Sequence, residues 1–308
     1  MLSILIPTYQ RDCSALVLDL LSQAESFQRT SNGAFSYELI VGDDGSKGEA
    51  IEQLERALAG KPHCRLLRQT RNHGRAANCN QMAREAKGDW LLIIDDDAAV
   101  CSDTFIRDYW TVRLQADVVC GSLRNPPPPA PKGHELRYRY EKKAEPRRRA
   151  AWRNRRPYDE FTTFNVLFSR RAFDAVQFDE RCTEYGYEDV LMGLMLKERG
   201  FSVLHADIPL VHTGIDSNEN FLRNTEASMR VLARIGEPLT SYAGASRTLR
   251  TLRRFGLGRV PIYIYTHWGR DLRRQLQGAH PSLFLFHTYK LCYYATVKQG
   301  IQAAASSL

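Results

Sequence analysis

Three consecutive carboxylates, Asp95, Asp96 and Asp97, follow the apolar run Trp90-Leu91-Leu92-Ile93-Ile94. Aspartates this close repel one another and raise each other's pKa values, so a fold that keeps them ionised needs a cation or several donors beside them. A divalent metal meets that need. The competing assignment is helix capping, since Ser102-Asp103 could begin a helix. A second acidic pair, Asp43-Asp44, is followed by Gly45-Ser46; it suits acceptance of hydrogen bonds from a ligand edge or simply an Asp-Gly turn. In Asn72-His73-Gly74-Arg75, the glycine allows close backbone approach and the arginine offers an anion partner. Glu188-Asp189 opens a helical pattern, where the helix dipole favours ionised carboxylates and a general base can be held. His212 in Pro209-Leu210-Val211-His212 adds an imidazole, a common metal ligand.

These groups need a scaffold that brings strand tips and helix starts together. Apolar runs predict strands over residues 3–6, 38–41, 65–67 and 90–94, and helical spacing predicts helices over 15–27, 49–58 and 75–86. Strands joined through helices imply right-handed crossovers and a parallel sheet covered on both faces, with ligands at the strand tips. Residues 125–131 then hold five prolines, and 132–156 are densely basic with Tyr138, Tyr140 and Trp152 interspersed. This region reads as a surface loop or exposed helix, with a role beside an anionic ligand as the alternative. Regular structure resumes with a strand over 161–169, a helical turn over 171–176, a helix over 189–199 ending at Gly200, and a short strand over 201–205. Beyond residue 218 the chain reads as basic amphipathic helices, which either pack on the core or lie on an anionic membrane surface.

The 308 residues are long enough for one large α/β domain with a helical annex. A net charge of +8 suits nucleic acid, an anionic membrane or a phosphorylated substrate, without choosing among them. Seven scattered cysteines with no CxxC spacing argue for free thiols and against a disulfide or zinc framework. The first residues lack the basic start and apolar core of a signal peptide, and no apolar run reaches the length of a membrane span. A cytoplasmic protein is expected, with peripheral attachment to the cytoplasmic face of the membrane as an option for the C-terminal helices.

Taken in order, Ile6-Pro7-Thr8-Tyr9, Val41-Gly42-Asp43-Asp44-Gly45-Ser46, Asn72 to Asn80, Ile94-Asp95-Asp96-Asp97 and Gly186-Tyr187-Glu188-Asp189 resemble the family 2 glycosyltransferases of GT-A fold. The resemblance covers about residues 1–215. It implies a Rossmann-like, mostly parallel sheet with helices on both faces: a nucleotide-sugar half at 1–123, a Pro/Arg-rich loop region at 124–160, and an acceptor-side half at 161–215. A helical extension at 216–308 follows. It also implies a metal-dependent, inverting transfer from a UDP-sugar to a hydroxyl of a saccharide or lipid-linked glycan, in bacterial cell-surface polysaccharide synthesis. Donor contacts are then expected from Pro7, Thr8, Tyr9, Asp43, Asp44, Asn72, Gly74, Arg75, Asn80, Asp95 and Asp96. Asp44 is first choice for the uracil, and Asp95 or Asp96 for the ribose.

A hard cation bridging diphosphate oxygens takes one or two protein carboxylates. Asp97 with Asp95 fits that role for Mn²⁺ or Mg²⁺, and the resemblance adds His212 as a further ligand, which favours Mn²⁺. Asp189 matches the family's general base, and Glu188 would contact the acceptor sugar. Cys79 departs from the family, which commonly has Arg at that position. The stretch Tyr185-Gly186-Tyr187-Glu188-Asp189 looks like that of galactosyl- and N-acetylhexosaminyltransferases, favouring UDP-Gal, UDP-GlcNAc or UDP-GalNAc. Two other classes compete. A sugar nucleotidyltransferase would be expected to open with a Gly-rich phosphate loop unlike Pro7-Thr8-Tyr9-Gln10. A basic nucleic-acid-binding protein explains the charge but leaves the strand-tip carboxylates without a role; no nucleic-acid partner is expected.

Overall fold

The computed structural model describes residues 1–180, 186–237 and 239–305. The chain forms two compact units: residues 1–126, 145–183 and 192–214 make the first, and 127–144, 184–191 and 215–308 the second.

The first unit is built on an eight-stranded sheet. Its strands are β1 (Leu2–Thr8), β2 (Tyr37–Asp43), β3 (Cys64–Arg68), β4 (Trp90–Ile94), β5 (Ala98–Val100), β6 (Val118–Arg124), β7 (Asn165–Ser169) and β8 (Val203–His212), in the order β3-β2-β1-β4-β7-β6-β8-β5. β3, β2, β1 and β4 run parallel; β7 is antiparallel to β4 and β6, β8 is parallel to β6, and β5 is antiparallel to β8. Every residue of β1 and β2 is buried, as expected of strands covered on both faces.

The period-2 alternation of the strands divides the apolar side chains between two cores. Leu92 and Ile94 join Leu16, Val17 and Leu20 of α1 (Ser14–Thr30), Ile51 and Leu54 of α2 (Glu49–Leu58), and Phe105 and Tyr109 of α4 (Phe105–Val112). Leu91 and Ile93 join Cys79 and Met82 of α3 (Arg75–Glu85), Phe173 of α7 (Arg170–Val176) and Met192 and Leu196 of α8 (Glu188–Glu198).

The basic middle is more ordered than a loop. α5 (Glu135–Ala144) buries Leu136, Tyr138 and Glu141 and groups with the second unit, whereas α6 (Ala150–Arg153) groups with the first and buries Arg153. The short strand read over 201–205 is the start of a longer one, β8, which runs on through His212. β5 and β6 lie where the sequence suggested no elements, whereas α4 follows the helix start that Ser102-Asp103 offered.

The second unit is helical: α5 with α9 (Asn218–Ile235), α10 (Leu239–Tyr242), α11 (Gly244–Arg254), α12 (Val260–Gln277) and α13 (Leu283–Ala305). Its core gathers Leu136, Phe221, Leu222, Leu276, Phe286 and Tyr289. Asn218, at the start of α9, accepts from Leu136 N at 2.8 Å and donates to the carbonyls of Gln277 and Gly278, tying three helices together. Among the described residues no helix is long and apolar enough to cross a membrane.

Candidate active site

The three carboxylates at the tip of β4 take three different partners. Asp95 Oδ1 accepts from Arg75 Nε at 3.1 Å and also from its Nη2, while Arg75 stacks on the Phe178 ring with its guanidinium carbon 5.4 Å from the centroid. Asp96 Oδ2 accepts from the Thr8 hydroxyl at 2.7 Å, and its other oxygen lies 3.4 Å from Arg11 Nε. Burial pushes the Asp96 carboxyl above the usual range, with Thr8 and Arg11 opposing the shift. Asp97 Oδ2 lies 3.1 Å from Nε2 of the buried His212.

Backbone register explains the last pairing. A turn closed by Ala98 N donating to Asp95 O sends the chain from β4 directly into β5, and Ala98 stands opposite His212 in the β5–β8 ladder. The Asp97 carbonyl then accepts from Thr213 N at 2.8 Å and from the Thr213 hydroxyl at 2.7 Å. Gly214 is pressed against the same aspartate: a Cβ there would fall 2.2 Å from Asp97 Oδ2.

Asp43 and Asp44 divide in the same way. Asp43 is fully buried; it accepts from Ser46 N at 3.1 Å and lies 3.6 Å from Arg68 Nε, so it holds the turn in which Gly45 has φ +81°. Asp44 points to the start of α3, its two oxygens accepting from His73 N and Gly74 N, each at 2.8 Å. Asn72 Oδ1 accepts from Gly74 N at 3.0 Å. Asp44 thereby fixes the loop that delivers Arg75.

These groups surround one cleft of about 390 Å³, lined by Pro7, Thr8, Tyr9 and Arg11 from the β1 tip, Asp44 from β2, Asn72, Gly74, Arg75 and Asn78 around the α3 start, and Asp95, Asp96 and Asp97. Two lining residues, Arg11 and Asn78, were not singled out by the sequence reading. Asn78 lies one helical turn beyond Arg75, on the same face, and its Nδ2 donates to Gly42 O at 2.6 Å. Helical spacing alone would have selected it. Asn80 and Asp43 do not line the cleft. The buried Asn80 amide donates to Phe178 O and Glu180 Oε1, both at 2.9 Å, and accepts from Phe178 N at 3.0 Å. Cys79 is buried among apolar neighbours, and burial pushes its thiol up to about 11.

Glu188 and Asp189 belong to the second unit, in the first turn of α8. Glu188 Oε2 accepts from Gly186 N at 2.9 Å. Gly186 (φ +115°) abuts Ser228 of α9, where a Cβ would meet the hydroxyl oxygen at 2.2 Å, and Tyr187 follows with φ +72°. Burial raises the Tyr187 phenol well above its ordinary value. Tyr185, part of the aromatic motif read from the sequence, lies outside the described residues, as does Cys182.

A divalent cation can be tested against this donor set. Among the described residues no group of three or more His, Cys, Asp or Glu side chains is arranged for a metal. An octahedral cation held with substrate phosphates and water needs only one or two protein ligands, and adjacent donors at about 2.1 Å from such an ion lie about 3 Å apart. Asp97 and His212 meet that spacing at 3.1 Å, whereas Asp95 is turned to Arg75. The pair fits a cation.

The family model of Glycosyl transferase family 2 matches residues 3–176. The chain belongs to this family. An uncharacterized glycosyltransferase of Haemophilus influenzae is 36% identical over 98 residues, 32% of this chain and 29% of the relative; the chain thus matches about a third of that protein's length. Among solved structures, a mannosyltransferase from Pyrobaculum calidifontis in complex with GDP-Man and Mn²⁺ superposes with a TM-score of 0.57 at 14% identity, covering 97% of this chain and 86% of the other. Glucosyl-3-phosphoglycerate synthase from Mycobacterium tuberculosis, in complex with Mn²⁺, UDP and glucosyl-3-phosphoglycerate, does so with a TM-score of 0.52 at 16% identity, covering 77% and 81%. At these identities the likeness is one of fold, and the fold is GT-A: a mostly parallel sheet between helical layers with a helical C-terminal region.

Proposed function

We propose that this chain transfers a hexose or N-acetylhexosamine from a UDP-sugar to a hydroxyl of a saccharide or lipid-linked glycan acceptor, with inversion at the anomeric carbon, in polysaccharide biosynthesis. The observation that carries the reading is the meeting of Asp44, the Arg75–Asp95 pair, the Thr8–Asp96 pair and Asp97 around one cleft at the strand tips. Asp44 retains acceptor capacity beyond its two backbone bonds and would take the base N–H; Asp96 would contact the ribose. Arg75, paired with Asp95, would place its positive charge beside the diphosphate.

Asp97 and His212 would hold the divalent cation, which when bound supplies Lewis-acid stabilisation of the departing diphosphate. Asp189, in the first turn of α8, would take the acceptor proton, and Glu188 would orient the acceptor. A direct displacement with a base on the acceptor side inverts the sugar.

Binding calorimetry with a panel of nucleotide sugars, with and without Mn²⁺, tests the donor, and the anomeric configuration of the product by NMR tests inversion. A UDP-sugar is expected to bind more tightly with the metal present, and Asp97→Ala is expected to abolish transfer. Undiminished turnover in chelator would remove the metal from the mechanism, and preference for GDP-Man would overturn the donor assignment. Asp189→Asn is expected to lower turnover on the order of 100-fold or more while UDP binding is nearly unchanged; a normal rate would exclude Asp189 as base.

A further inference from the structure

Between Glu237 and Asp271 the chain carries six arginines, at positions 247, 250, 253, 254, 259 and 270, and no Asp or Glu. In the second unit these arginines are all exposed, while α11 turns Ser246 and Leu249 inward. The amphipathic pattern is therefore satisfied on one face only. The outward side is not simply a charged face, because large apolar groups stand among the arginines. Phe255 is 76% exposed, Leu257 49%, Val260 44%, Tyr263 57% and Trp268 50%.

These apolar residues form an ordered feature. The turn from α11 to α12 is closed by Leu257 N donating to Leu252 O at 2.9 Å and Val260 N donating to Leu257 O at 3.1 Å, so Phe255 and Leu257 project from a defined tip. Along α12, Val260 and Tyr263 continue the tip three residues apart, and the Tyr263 ring meets Trp268 edge to face at 5.8 Å. Neighbouring carboxylates offset only part of this charge: Glu237 lies 3.3 Å from Arg250 Nη2, one of the six, and Asp271 pairs with Arg274, which is not among them.

Leaving a phenylalanine, a leucine and a valine in water beside concentrated positive charge is costly unless something apolar and anionic covers both. We propose that the tip between α11 and α12, with the adjoining face of α12, docks on a lipid surface bearing anionic headgroups. The apolar tip enters the boundary of the acyl region, Tyr263 and Trp268 lie at the headgroup level that such rings favour, and the arginines meet the phosphates. Nucleic acid would satisfy the arginines, but it offers nothing to Leu257 and Val260, which have no flat face on which a base stacks. The inference rests on the second unit and stands independently of the transfer reaction.

Co-sedimentation of the full chain with phosphatidylcholine vesicles, with and without phosphatidylglycerol, tests it. Binding is expected on the anionic vesicles, weak on the neutral ones and reduced by salt. The double variant Phe255→Ser/Leu257→Ser is expected to weaken partition by about tenfold or more, and Arg253→Gln/Arg254→Gln by about fivefold for each charge. As a readout that needs no disruptive variant, Trp fluorescence of the unaltered protein should be quenched by bromine-labelled acyl chains, and Trp268→Phe should lose most of that quenching. Equal partition onto both vesicle types, or double variants that bind like the parent, would overturn the proposal. So would capture by single-stranded RNA without capture by vesicles.

Discussion

Asp95, Asp96 and Asp97 are neighbours in sequence but not in function, because each answers to a different partner: Arg75, then Thr8 with Arg11, then His212. That there was a charge problem to solve was legible from three adjacent carboxylates. The allocation was not, since it depends on side-chain direction in a turn. The family resemblance named Asp97 and His212 as separate candidate metal ligands, and the β5–β8 register is what brings their side chains together. Gly214 offers a test at this scale. Because a Cβ there would fall 2.2 Å from the Asp97 carboxylate and 2.5 Å from its Cβ, Gly214→Ala should displace the carboxylate from His212. The expected outcome is a rise of about tenfold or more in the Mn²⁺ concentration needed for half-maximal transfer, since losing one good ligand contact costs more than about 1.4 kcal/mol. A metal titration of the variant checks it, and an unchanged requirement would detach Asp97 from the metal.

Helix α3 shows how one element serves both the cleft and the fold. Its start presents Arg75 and Asn78 to the cleft, one turn apart, while Cys79, Asn80 and Met82 are buried. Asn80 was chosen from motif order as a donor contact, yet its amide is occupied by the backbone of Phe178 and the carboxylate of Glu180. Attention to the helical period would have exchanged it for Asn78. Asn80→Ala leaves buried backbone groups of Phe178 without their partner, so a loss of about 2–4 kcal/mol of stability is expected with donor affinity near that of the parent. Denaturant unfolding alongside nucleotide titration separates the two readouts; intact stability with lost binding would return Asn80 to the site.

For the molecule as a whole, the four parallel strands and the helices between them were readable because each is a short apolar run or a full amphipathic period bounded by Gly or Asp turns. The antiparallel direction of β7 was not, since alternation says nothing about which way a strand runs. The grouping of 127–144 with 215–308 depends on contacts distant in sequence, which composition does not encode. Burial has a further consequence for pH. His205 is buried on β8, with Nε2 donating to Pro157 O at 2.9 Å and Nδ1 without a hydrogen-bond partner among the described residues; burial first, and Arg153 second, lower its pKa to about 4 from 6.5. The folded form keeps this ring neutral while the unfolded chain takes up a proton, so the contribution is whole above pH 6.5 and is lost as pH falls toward 4. By pH 5 the loss should be about 2 kcal/mol. His205→Gln should flatten the fall in Tm between pH 7 and pH 5, and parallel profiles would place the acid sensitivity elsewhere.

The contact between Asp97 and His212 spans 115 residues, whereas that between Asp95 and Arg75 spans 20 and that between Asp96 and Thr8 spans 88. Local contacts close early and distant ones late, because the intervening chain must first be ordered. A chain emerging from the ribosome would therefore hold the partners of Asp95 and Asp96 within its first hundred residues and still lack the His212 imidazole until β8 takes its place beside β6. On the proposed assignment the cation pair is the last of the three carboxylate contacts to close, because it alone waits for β8.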